Sequence, residues 1–375
     1  MTASAHTDSP EVTRGAGMTA SAHSDSPEVT RGAGVTASAH ADSPEVARAD
    51  EGAGVTASAD SPEVARADEG AGMTTSVHVD SPTEGRNPAT VDIDRLPTAD
   101  VLRLVIAEET AVPAAVAAAL PELTAAVELL AGALRGGRQV HVVGAGTSGR
   151  LAALDADEIR PTYGLEPGRW IAHVAAYDGV VDGEDDTVAG AAVGTMAGPG
   201  DVLVAVTASG RTPYAVAALR TAKDNGAATV LLSGNPDAAA GSEVDVHVAV
   251  RTGPEAVTGS TRLKAGTAQK LALNALSTAT MVRCGRTWSN LMIGAVATNS
   301  KLRGRIAAAL VAATGQDPDS CAAAVENADG DGRVALLTLL CGVSVSVAAS
   351  ALASTGGHVR EALALLQRGN AAPNG

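Results

Sequence analysis

Three short segments concentrate hydroxyl, glycine and cationic residues, each directly after an apolar run. The first is Gly144-Ala145-Gly146-Thr147-Ser148-Gly149-Arg150, following Val140-His141-Val142-Val143. The second is Thr207-Ala208-Ser209-Gly210-Arg211-Thr212-Pro213, following Val202-Leu203-Val204-Ala205-Val206. The third runs from Thr258 to Thr267, through Ser260, Thr261 and Lys264, after the strand-like stretch from Val244 to Val250. Backbone N–H groups where such a turn opens a helix lack partners and attract anions, phosphate above all. The first segment alone has the GxGxxG spacing of a dinucleotide loop. A dinucleotide needs one such loop, whereas three of them describe a polar cup around a sugar phosphate. Capping of three helices by Ser and Thr is the plainer reading of each loop taken singly.

Acid–base chemistry on such a ligand requires carboxyl groups or histidines. Histidine contributes little here: His6, His23, His40 and His78 fall in N-terminal repeats, and His141 and His247 sit inside strand patterns. The carboxylates near the loops are Asp155 and Glu158 after the first, and Asp182, Glu184, Asp185 and Asp186 ahead of the second. Glu158 lies ten residues after Ser148. On one straight helix that is about 15 Å, longer than a single sugar phosphate can span. If Glu158 acts on the ligand, the phosphate is expected on the loop of Ser209, Gly210 and Thr212, with Thr147, Ser148 and Gly149 nearer the sugar. Alternatively Glu158 serves the site of a partner chain. Ser260, Thr261 and Lys264 are expected to lead a long helix and to hold the phosphate or another anionic group, although Lys264 also reads as a plain surface charge. Arg150 is left open between a substrate carboxylate, Asp155 and Glu158.

The elements that position these loops alternate. Strands are expected at 139–143, 170–176, 202–206, 229–232 and 244–250, and helices near 94–109, 113–134, 148–158, 187–196, 213–225 and 260–283. That order predicts an α/β fold with a parallel sheet and helices on both faces. Ligands of such sheets lie beyond the carboxyl ends of the strands, where all three loops fall. From about Lys301 to Leu366, short Ala/Leu-rich segments predict a small helical domain.

The chain of 375 residues is uneven. Residues 1–72 are near-copies of one unit, MTASAHTDSPEVTRGAG, with a fifth, decaying copy to about Pro82. The copies lack Leu, Ile and aromatic residues and have almost nothing to bury, so 1–82 is expected to be disordered. It reads as a tandem duplication of coding sequence rather than an interaction arm. Residues 1–86 carry −9 of the net charge of −15. Without long Lys/Arg runs the chain is not expected to bind nucleic acid. Without a signal-peptide pattern or an apolar run of spanning length, no membrane association is expected and the protein reads as cytoplasmic. Cys284, Cys321 and Cys341 show no metal-ligand spacing and suit a reducing compartment. Phe is absent, and five aromatic residues (Tyr163, Trp170, Tyr177, Tyr214 and Trp288) leave a core of Ala, Val and Leu.

Three blocks, GAGTSGRLAALDADEIRPTYG (144–164), TASGRTPY (207–214) and GPEAVTGSTRLKAGTAQKLALNALST (253–278), resemble the signature blocks of the N-acetylmuramic acid 6-phosphate etherases, which are sugar-isomerase-type (SIS) proteins. The segments at 87–105, 290–302 and 356–363 fit the same pattern. The resemblance implies a five-stranded, doubly wound SIS sandwich with N-terminal helices over 83–300 and a small helical domain over 301–375. It implies cleavage of a D-lactyl ether to N-acetylglucosamine 6-phosphate and D-lactate in the recycling of cell-wall sugars, with no metal and no organic cofactor. It places Glu158, in DADEIRPT, at the position of the catalytic acid and Glu184, in VDGEDD, at that of the second glutamate, the base. Ile159-Arg160 stands where the family usually has Cys-Pro. The resemblance also implies a homodimer with sites close to the subunit interface. A phosphosugar isomerase or a non-catalytic sugar-phosphate sensor on the same scaffold are the alternatives. A nicotinamide enzyme rests on GxGxxG and Asp178 alone.

Overall fold

The computed structural model describes residues 81–176, 183–295, 297 and 299–371. The repeats and Asp178 lie outside the described residues. Five strands, β1 (Val140–Gly144), β2 (Trp170–Val174), β3 (Val202–Thr207), β4 (Ala228–Ser233) and β5 (Val246–Ala249), form one parallel sheet in the order β2-β1-β3-β4-β5. All five expected strands are present. The outer two, β2 and β5, are shorter than their apolar runs, since each has a ladder partner on one side only.

β1 and β3 are buried along their whole length, and β4 nearly so, as their near-continuous Val/Leu/Ala sequences require. One face of the sheet (Val140, Val142, Val204, Val230, Leu232 and Val248) packs on α3 (Leu120–Arg135), α4 (Gly146–Tyr163) and α7 (Lys264–Arg283). The other (Val143, Leu203, Ala205 and Leu231) packs on α5 (Thr187–Gly194) and α6 (Pro213–Asp224). With no Phe available, close approach replaces bulk. A Cβ built at Gly190 would stand 2.1 Å from the Tyr214 carbonyl oxygen, and one at Gly194 would stand 2.5 Å from that of Ala218. Two glycines one helical turn apart therefore let α5 lie directly on α6. Gly190→Ala will lower the urea midpoint by the equivalent of about 3 kcal/mol through this overpacking, and an unchanged midpoint would show that the two helices can part freely.

The N-terminal helices depart from expectation. The helix expected over 113–134 is two, α2 (Val112–Ala118) and α3, and α3 is bent by 61° from the Thr98–Ala118 stretch. Pro121 in the first turn of α3 cannot donate the N–H that would continue α2. The helix α1 (Thr98–Glu109) has no buried residue, and its Leu102 and Ile106 are 58% and 66% exposed. No single helix among the described residues is long and apolar enough to cross a membrane.

After α7, five helices follow: α8 (Ser300–Thr314), α9 (Pro318–Asn327), α10 (Gly332–Cys341), α11 (Val345–Ser354) and α12 (Val359–Ala371). They share a core of their own, with Ile306, Leu310, Val325, Leu336 and Leu337. Arg286, buried just after α7, ties the connecting segment back to the sheet domain. It donates to the Gly164 carbonyl at 2.6 Å and to both oxygens of Glu166 at 3.1 Å.

Candidate active site

The first turn owes its glycines to packing. A Cβ at Gly149 would lie 2.5 Å from the Gly144 carbonyl oxygen and 2.7 Å from Val174 Cγ1, so α4 starts against the end of β1. Ser148 is buried and donates to Gln269 Oε1 of α7 at 2.9 Å, while Thr147 is half-buried at the rim. Arg150 reaches back to Thr147 Oγ1 at 3.4 Å, whereas Glu158 pairs with Lys270 and Asp155 with Ser277.

The second turn carries the closest constellation. Thr212 donates its hydroxyl to Glu184 Oε1 at 3.1 Å, and the Thr207 hydroxyl lies 2.8 Å behind it. Thr212 has one proton to give, so Thr207 must be the donor within the hydroxyl pair. Ser209 Oγ accepts from the Arg211 N–H at 3.2 Å, and Asn235, from the loop after β4, donates to the Ser209 carbonyl at 3.2 Å. Gly210 has φ +72, and a Cβ there would meet that of Ala238 at 2.4 Å. Two chain segments far apart in sequence thus bring Glu184 and Thr212 together at the carboxyl end of the sheet.

The third turn differs from the sequence expectation. The helix begins at Lys264, not at Ser260. Glu255 is fully buried, and its two carboxylate oxygens accept from the Lys264 and Ala265 amides at 2.9 Å each. These are the N–H groups that would otherwise cradle an anion, so α7 carries its own cap inside the protein. Burial raises the Glu255 carboxyl above the usual glutamate range, against the pull of the two amides. Ser260 and Thr261 lie half-exposed on the preceding turn. Lys264 is not a surface charge: its side chain is 6% exposed, and Nζ is 2.5 Å from Glu108 Oε2 at the end of α1.

Sequence reasoning passed over the partners of this turn. Asn87 donates to Glu108 at 2.8 Å and to the Pro254 carbonyl at 3.5 Å. Thr83 and Glu84 lie against Gly234 and Gly259 respectively. The short run Ser81-Pro82-Thr83-Glu84-Gly85 therefore edges the same rim as Ser260. Its signal was the Asn87-Pro88 pair, which marks a turn but not what the turn touches.

Glu158 stands apart from this rim. It is twelve residues beyond Gly146, about 18 Å along α4. Its side chain is 61% exposed and pairs with Lys270 Nζ of α7 at 3.3 Å. Leu154 and Leu271 are exposed on the same two helices. Between them Asp155 is buried and pushed up to about 6, mainly by burial, against donation from Ser277 at 2.9 Å and the charge of Lys270. Its folded value lies above the ordinary 3.8, so the stability linked to its proton is present below that value and is lost as pH rises through about 6. Asp155→Asn will therefore stabilise the protein by up to about 3 kcal/mol at about pH 8 and by almost nothing near pH 4; equal effects at both pH values would exclude a charged buried Asp155.

Among the described residues, no three His, Cys, Asp or Glu side chains converge as metal ligands would. His141 is buried and stacks on His173, and His247 meets Ser233 Oγ at 2.9 Å, so both belong to the sheet.

A family model for the SIS domain matches residues 178–279. An N-acetylmuramic acid 6-phosphate etherase of Thermobifida fusca is 53% identical over 270 residues, 70% of this chain and 88% of that protein. Those of Streptomyces coelicolor and Cutibacterium acnes are 46% and 44% identical, each over 75% of this chain and 93% and 95% of theirs. A solved phosphoheptose isomerase from Francisella tularensis is 18% identical, with a TM-score of 0.39 over 49% of this chain and 98% of its own. On the strength of the three etherases, the chain belongs to the N-acetylmuramic acid 6-phosphate etherase family.

Proposed function

We propose that this protein cleaves the D-lactyl ether of N-acetylmuramic acid 6-phosphate, in the cytoplasm, as a homodimer whose sites are completed across the interface. The observation that carries the activity is the 53% identity to a named etherase over 70% of this chain. The relatives' names favour this reaction over an isomerase or a sensor.

An ether on C3 is hard to hydrolyse directly. Opening the ring exposes the C1 aldehyde and makes the C2 proton removable. Glu184 takes that proton, and the C2–H electron pair becomes the C2=C3 bond. The C3–O bond breaks with its pair on oxygen, which receives a proton from Glu158 as D-lactate departs. Water then adds its hydroxyl to C3, giving its proton to the Glu158 carboxylate, while Glu184 returns its proton to C2. The net reaction is ether plus water to N-acetylglucosamine 6-phosphate plus D-lactate. Both glutamates end as they began.

In this reading Ser209, Gly210 and Thr212 receive the phosphate, and Thr147, Ser148, Gly149, Ser260 and Thr261 surround the sugar. Lys264, held by Glu108, shapes the third turn from beneath. The two glutamates come from different subunits, since Glu184 sits at the rim and Glu158 on an exposed flank with Leu154 and Leu271 beside it. Incubation with the substrate in oxygen-18 water tests the reaction: D-lactate must appear, with heavy oxygen in the sugar product. Absence of lactate would defeat the reading. Mixing Glu158→Gln with Glu184→Gln protomers tests the sharing. Random pairing restores about a quarter of native activity if each site draws on two subunits, and none if it draws on one.

A further inference from the structure

We propose that Lys270 binds the lactyl carboxylate of the substrate and so selects for an ether that carries a carboxylate. The inference rests on the reading above, in which Glu158 protonates the leaving oxygen. That oxygen and the carboxylate are attached to the same carbon of the lactyl group. Whatever cation holds the carboxylate must therefore stand beside the acid.

Lys270 stands there: its Nζ is 3.3 Å from Glu158 Oε2, and its side chain is 29% exposed, open enough to meet a ligand. Among the other cations of the three blocks, Arg160 and Arg262 are exposed and neither pairs with Glu158, and the remaining three are placed for different work. Lys264 is buried on Glu108, Arg150 turns back to Thr147, and Arg211 belongs to the second turn. An incoming carboxylate shares the Lys270 ammonium with Glu158. Two carboxyl groups then hold one ammonium and one proton between them, which keeps the proton beside the departing oxygen. After cleavage D-lactate leaves, and the Lys270–Glu158 pair re-forms.

The test compares two substrates, N-acetylmuramic acid 6-phosphate and its lactyl carboxamide, with the wild type, Lys270→Met and Lys270→Arg. Lys270→Met will lower kcat/KM on the natural substrate about 100-fold, chiefly through KM, and Lys270→Arg will recover part of it. On the carboxamide, which offers no charge, wild type and Lys270→Met will agree within about threefold. N-Acetylglucosamine 6-phosphate lacks the lactyl group and will inhibit both forms equally. Equal losses on both substrates would mean that Lys270 acts only through Glu158 and would overturn the proposal. So would an unimpaired Lys270→Met on the natural substrate. If the wild type releases no D-lactate at all, the etherase reading itself falls, and this inference with it.

Discussion

Glu158→Gln will reduce D-lactate release by about a thousandfold, the usual worth of a well-placed general acid, while leaving the fold intact. The fold is spared because Glu158 is 61% exposed and its one ion pair is open to solvent, an arrangement worth at most about 1 kcal/mol. The variant separates two roles that a simple activity loss would blur. The base remains in Glu158→Gln, so the C2 proton of the substrate will still exchange with solvent deuterium. In Glu184→Gln both exchange and lactate release will stop. Nuclear magnetic resonance of the substrate in deuterium oxide reads both steps at once. If Glu158→Gln releases lactate within about threefold of the wild type, the proton on the leaving oxygen comes from elsewhere.

Lys264→Met will cost about 3 kcal/mol of stability at neutral pH, because it leaves the Glu108 carboxylate 18% exposed and without its cation. The native pair holds Glu108 below the usual carboxylate range, through the Lys264 hydrogen bond first and that of Asn87 next, against burial. A lowered carboxyl contributes stability above its ordinary value of 4.5, and that contribution is lost as pH falls through its folded value. The difference between Lys264→Met and wild type will therefore shrink in acid. Adding Glu108→Leu to Lys264→Met will restore part of the loss, since an apolar pair of similar size avoids the stranded charge. Urea unfolding at several pH values measures all three effects. A Lys264→Met protein of native stability but raised KM would instead make Lys264 a substrate ligand.

Much of this architecture was legible in the sequence. The strands announced themselves because a sheet covered on both faces needs unbroken apolar runs, and Val140–Val143 and Val202–Val206 are such runs. The three turns were legible because Ser, Thr and Gly mark the points where strands hand over to helices. What the sequence hid is pairing at a distance. Nothing local distinguishes Glu255, which caps α7 from nine residues upstream of Lys264, from a loop carboxylate. Lys264 read as either a ligand or a surface charge because its partner, Glu108, belongs to another helix. The apolar Leu102 and Ile106 of α1 are exposed in the single chain. A periodic pattern says that a face will be covered, not by which molecule.

The bonds joining Asn87 and Glu108 to the third turn bear on the order of events during synthesis. They span 167 and 156 residues. Contacts closing loops of that length form late, after the local helices and adjacent strands have repaid their own ordering entropy. On a ribosome, the first helix must wait unpartnered until the chain past Lys264 has emerged. The rim of the cup is thus among the last parts to assemble, and a nascent chain halted before the seventh helix would carry all five strands without a competent mouth.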